Sequence, residues 1–183
     1  MQSLIDTLSE RDRESLRREF QLVEPSIWAT DLANRRRWQD ANEAFLRHER
    51  ERGRSDMEHL MAAVGAHRPV CPTSAADLVT AAVSLYVPEE SQGSVERLSE
   101  DCLRISIRNC PVYQRLEENH WRGVTACGSW HRRRGWYEAM GIYATDSVLA
   151  ESKWGDAACE ALIDFAEPAA EPLGVWSRAH AAR

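Results

Sequence analysis

Five cysteines, at positions 71, 102, 110, 127 and 159, and six histidines are the residues of this chain with nucleophilic or ligating chemistry. Cys110 stands out. It follows an alternating segment, Cys102 to Ile107, and precedes Pro111, so a strand hands over to a helix at that point. Backbone N–H groups at a helix start stabilise a thiolate and lower a cysteine's pKa. Arg108 lies close in sequence. The same position also suits a buried cysteine filling a corner, and the residues leave both roles open.

A nucleophilic cysteine needs a base and a group that orients the base. His120 and His131 lie in the segment that Cys110 opens. His120 falls about ten residues on, roughly 15 Å along a straight helix, so it reaches Cys110 only if that helix stops early. His131 reaches it only through tertiary folding. Asp146, Glu151 and Asp156 are the acids able to orient a histidine, and each also suits a turn or surface position. Cys127 and His131 are four apart, as two ligands on one helix face would be. No C-x-x-C or H-x-x-x-H pair supports a metal centre, and none is expected. Cys127 itself reads as a core residue within a helix. Cys159 packs on one strand face with Ala161, Ile163 and Phe165, at the rim of the Gly155-Asp156 turn. There is no Walker loop, no G-x-G-x-x-G and no G-x-S-x-G elbow, so no cofactor is expected. Of seven tryptophans, Trp121, Trp130, Trp136 and Trp154 crowd the C-terminal half, where some suit a small-molecule pocket and most suit a core.

The elements that must position these residues follow from periodicity. Ser9 caps a helix carrying Leu16, Phe20 and Val23 on one face, broken by Pro25. A longer helix runs to about Gly53, its Arg/Glu-rich stretch from Arg47 to Arg54 reading as a solvated face. Asp56 then caps a short helix that Gly65 closes. Ser74 and Asp77 have the spacing of a capping box. The following helix, with Leu78, Val79, Ala82, Val83 and Tyr86 along one side, is buried and ends at Pro88. The polar stretch 89–100 reads as a connection. Leu103, Ile105 and Ile107 alternate with Arg104, Ser106 and Arg108, the two-residue period of a half-buried strand. Helices are predicted from Pro111 towards His120 and from about Gly123 to Met140, with Gly141 as the stop. Strand-like runs 147–154 and 158–165 flank Gly155-Asp156 as a hairpin. The expected fold is α+β, a helical N-terminal half packed on a small antiparallel sheet formed by the C-terminal half, in a single domain over 1–166. The Ala/Pro-rich segment 167–183 reads as a flexible tail.

Composition narrows the class of function. The 183 residues carry a net charge of −6, which argues against nucleic-acid binding, where phosphates must be neutralised. All 23 basic residues except Lys153 are arginine, a bias that codon usage explains as well as carboxylate clamping does. No apolar run spans a bilayer, and the polar start carries no signal-peptide pattern. Reduced thiols in a cytoplasm are therefore expected, with neither membrane nor nucleic acid as partner. A homodimer stays open.

The segment from about 100 to 165 resembles the L-2-amino-thiazoline-4-carboxylic acid hydrolase family. The resemblance rests on Asn109-Cys110-Pro111 after a strand and on Gly155-Asp156-x-x-Cys159-Glu160 in a hairpin. The segment is more distantly similar to vinyl-reductase-type small-molecule-binding domains. By position, Cys110, Gly155, Asp156 and Cys159 correspond, whereas Ala161 stands where relatives commonly carry Phe. The resemblance implies an α+β domain with a small-molecule pocket and hydrolytic opening of a thiazoline- or amidine-like ring. On that basis the Cys110 thiolate adds to the amidine carbon. His131, or after it His120, shuttles protons, and Asp156 orients the histidine. Arg104 or Arg108 holds the substrate carboxylate, while Trp130, Trp154 and Cys159 line the pocket. The alternatives are a non-catalytic binding or sensory domain on the same fold, or a biosynthetic enzyme performing elimination or cyclisation.

Overall fold

The computed structural model describes residues 4–21, 38–87, 89–110, 127–151 and 158–165. Helix α1 spans Glu10–Gln21, α2 Trp38–Ala63, α3 Pro72–Tyr86 and α4 Gly128–Met140. Strands are β1 Gly93–Arg97, β2 Cys102–Ile107, β3 Ala144–Ala150 and β4 Cys159–Phe165. The strands form one antiparallel sheet in the order β1-β2-β4-β3. With helices first and most strands later, the chain is an α+β protein. No described helix is long and apolar enough to cross a membrane.

The alternating pattern of β2 does what its period demands. Leu103 pairs with Ile163, Ile105 with Ala161 and Ile107 with Cys159, so these residues share the face that looks onto the helices. Leu103 and Ile163 are fully buried there. The opposite face carries Cys102, Arg104, Ser106, Glu160 and Asp164. Helix α3 is the centre of the core, with Ala75, Ala76, Leu78, Val79, Ala81, Ala82, Val83, Leu85 and Tyr86 buried. A helix buried nearly all round must be apolar nearly all round, and this one is. Met57 and Leu60 of α2, Trp136 and Met140 of α4 and Phe165 of β4 complete the core.

Local capping decides several helix ends. The Asp12 N–H donates to Ser9 Oγ (3.2 Å), and that hydroxyl donates to Asp12 Oδ2 (2.6 Å), so the N-terminal cap sits where the sequence places it. Gly141 takes a left-handed φ of 70° and closes α4. Gly65 likewise has φ 65° just beyond α2. The expected capping box at Ser74 and Asp77 is not used. Helix α3 starts earlier, with Pro72 in its first turn and Cys71 as N-cap, because proline needs no N–H partner there. Ser74 Oγ donates to the Cys71 carbonyl instead, and Asp77 accepts from Arg97.

Three other expectations change. Gly53 does not end a helix, and Asp56 does not cap one: α2 runs through both without a break. The stretch 89–100 is not a plain connection, since it contains a short 3-10 turn at Glu89–Ser91 and strand β1. The charged run is not solvated throughout: within it Glu49 is buried against α4, as is Asp56 just beyond it. One cause underlies the first and third. Helix α4 lies alongside α2 and runs in the same direction, with Gly128 against Phe45 and Glu49, and Gly53 against Arg132. Arg132 of α4 donates to Asp56 at 2.7 Å, and Glu49 stands 3.8 Å away on its other side. Buried charges persist only when paired, and these are.

The predicted helix from Pro111 to His120, residues 123–126 of the helix predicted from about Gly123 to Met140, and the tail 167–183 lie outside the described residues. The hairpin exists, but its first strand is Ala144–Ala150 rather than 147–154.

Candidate functional site

The sheet register gathers the site. Ile107 at the end of β2 pairs with Cys159 at the start of β4, and Cys110 follows β2 by three residues. Ala150 at the end of β3 pairs with Glu160 after a bulge. The C-terminal ends of β2 and β3 and the start of β4 therefore meet at one edge of the sheet. Glu151, Cys159 and Cys110 are placed there by pairing distant in sequence. Both cysteines are half-buried, and neither is in a disulfide.

Helix α4 closes the helix-facing side of that edge. After Gly141 the chain turns back, so β3 runs antiparallel to α4. Tyr137 Oη donates to Asp146 Oδ1 (2.9 Å), and Arg133 Nε donates to the same oxygen (3.3 Å). Two turns nearer the helix start, Trp130 Nε1 donates to Glu151 Oε1 (2.8 Å). Arg133 also lies over the indole, its Cζ 4.0 Å from the ring centroid. The i, i+3 and i, i+4 spacings put Trp130, Arg133 and Tyr137 on one face of α4. Burial and the neighbouring Asp146 push the Tyr137 hydroxyl well above the usual phenol range, despite the opposing Arg133 charge. Tyr137 is thus a hydrogen-bond donor at all ordinary pH values.

The predicted residues divide. Cys110, Cys159 and Trp130 come to the same edge. His131 lies on α4 beside Trp130 but turns about 100° round the helix. Burial holds its imidazole below the ordinary value, and the nearby Arg134 and Arg50 guanidiniums add to this. Arg104 is on the sheet's other face, where Nη2 donates to Glu160 Oε2 at 2.5 Å. Arg108 is exposed at the corner after β2, and its N–H donates to the Ser91 carbonyl. Neither arginine faces α4. His120, Trp154 and Asp156 lie outside the described residues. Cys127 is the N-cap of α4 rather than a mid-helix core residue. Among the described residues, no group of three or more His, Cys, Asp or Glu side chains gathers to hold a metal ion.

Sequence reasoning missed Arg133 and Tyr137. The spacing Trp130-x-x-Arg133-x-x-x-Tyr137 is legible, but its partner Asp146 belongs to a strand whose placement needs the fold. No family model and no curated protein matches the chain.

Proposed function

We propose that the chain is a small-molecule hydrolase using a cysteine at this sheet edge to open a C–N bond of a cyclic, amidine-like carboxylate. The observation that carries the reading is the pairing of Ile107 with Cys159, which brings the sites of both cysteines to the edge that Trp130 and Glu151 border. The chemistry balances with water alone. A Cys110 thiolate adds to the amidine carbon, and the C–N bond breaks as the departing nitrogen takes a proton. Water then adds to the thio-bound carbon, gives its proton to the base and releases the thiolate. Glu151, held by the Trp130 indole, is the described carboxylate best placed to carry that proton. His131, turned towards Arg50, is placed less well.

The test is turnover of 2-aminothiazoline and cyclic amidine carboxylates by the wild type, Cys110→Ala and Cys159→Ala. Loss of a nucleophile should lower turnover about a thousandfold or more in Cys110→Ala, with folding kept by circular dichroism. Undiminished turnover in Cys110→Ala overturns the assignment. Complete protection of Cys110 and Cys159 from iodoacetamide would replace it with a binding domain.

A further inference from the structure

We propose that Arg133 receives the substrate's carboxylate, an inference that rests on the small-molecule reading of the sheet edge. Its side chain is 7% exposed, and most of it is fixed. Nε donates to Asp146 Oδ1, an oxygen that Tyr137 also holds. Cζ lies over the Trp130 ring, 4.0 Å from the centroid. Nη2 is buried and has no hydrogen-bond partner.

A guanidinium is a rigid fork of five donors, shaped to take a carboxylate along one edge. A buried donor left without an acceptor keeps the full cost of losing its water, so an orphaned group on a side chain this well positioned calls for an acceptor. The neighbouring Arg132 is as deeply buried and its Nη2 also lacks a hydrogen-bond partner, but its charge is met by two carboxylates, Asp56 and Glu49. Arg133 has one carboxylate, shared with a tyrosine hydroxyl, and an aromatic ring. Arg104, expected to hold the carboxylate, is taken by Glu160 on the other face of the sheet. A single indole and one hydrogen bond separate Arg133 from Glu151 at the cysteine-bearing edge. An acid held at Arg133 would thus sit one indole away from Glu151, the residue that borders the cysteine-bearing edge.

The test compares two alkylating agents of nearly one shape, iodoacetate and iodoacetamide, in each of which thiolate displaces iodide. Labelling rates are read by mass spectrometry on the folded full chain, with exposed Cys71 as the reference thiol. The iodoacetate-to-iodoacetamide rate ratio at Cys110 or Cys159 should exceed that at Cys71 about tenfold, the effect of one good charge-assisted contact. Arg133→Gln should return it to the Cys71 value, and Arg134→Gln, at an exposed neighbour, should leave it unchanged. If Arg133→Gln does not fold, Arg133→Lys, which keeps the charge but loses the fork, is read the same way. Ratios equal to that of Cys71 at both thiols overturn the proposal while leaving the cysteine reading intact. If neither reagent reaches Cys110 or Cys159, the cysteine reading fails and Arg133 is decided by melting temperature. Stabilisation by acetate but not acetamide, lost in Arg133→Gln, upholds Arg133; no difference overturns it.

Discussion

Gly53 of α2 and Gly135 of α4 let the two helices touch backbone to backbone. A Cβ added at Gly53 would run into the Arg132 carbonyl oxygen, and one at Gly135 into that of Arg50. The contact lies beside the paired charges of Arg132, Asp56 and Glu49. It also sets the rotation of α4 that turns Trp130, Arg133 and Tyr137 towards β3. The crossing therefore holds the candidate site as well as the core.

Substituting either glycine should reveal this through the sign of the effect. In an unencumbered helix, Gly→Ala stabilises by about 1 kcal/mol. Here the new methyl meets rigid backbone, so Gly53→Ala and Gly135→Ala should each destabilise by about 2–4 kcal/mol. Urea unfolding followed by circular dichroism reads the change directly, and a stabilised variant would show that the helices stand further apart.

The free thiols should differ in reactivity for local reasons. Cys71 is exposed, and the Ser74 hydroxyl, 3.4 Å from its sulfur, lowers its pKa together with backbone N–H groups at the start of α3. Cys102 is pushed up to about 11, chiefly by burial and then by the Asp164 carboxylate. Because the thiolate is the nucleophile, iodoacetamide near pH 8 should label Cys71 well before Cys102. Ser74→Ala should slow Cys71 by about threefold, measured by peptide mapping over time.

His131 should titrate below its ordinary value of 6.5, since burial, Arg134 and Arg50 all disfavour the imidazolium. The folded state then binds its proton less readily than the unfolded state. The resulting stability is present above the unfolded pKa and is lost as pH falls through the folded one. Proton NMR of the imidazole C–H should place the midpoint below 6.5, and Arg134→Gln should raise it. Between about pH 7 and pH 5, His131→Gln should lose less stability than the wild type in urea titrations.

Strand β1 was hidden for a different reason from α2's length. Gly93–Arg97 is an edge strand with only Val95 half-buried, so it lacks the apolar alternation that marks β2 and β4. Pairing with β2, from Gly93 opposite Ile107 to Arg97 opposite Leu103, supplies its hydrogen bonds. Among the site residues, Cys110, Cys159 and Trp130 were legible as residue types near chain turns. Nearness in sequence to Cys110 was a poor guide to the arginine, because successive strand residues alternate faces and Arg104 falls on the wrong one, while Arg108 is exposed beyond the strand end.

What the sequence by itself determined were features set within a few residues. These are the Ser9 cap, the Gly141 stop, the buried character of α3, and the faces of β2 and β4. Each follows from local backbone preference or from a two- or 3.6-residue period. Tertiary structure alone decided that Gly53 is a crossing point rather than an end, and that Asp56 and Glu49 pair with Arg132 inside the protein. It also placed Arg133, Tyr137 and Asp146 together at the flank of the cysteine-bearing edge. A glycine or a charged residue has the same local signature whether it meets water or another helix. Only the neighbour brought from far along the chain distinguishes the two.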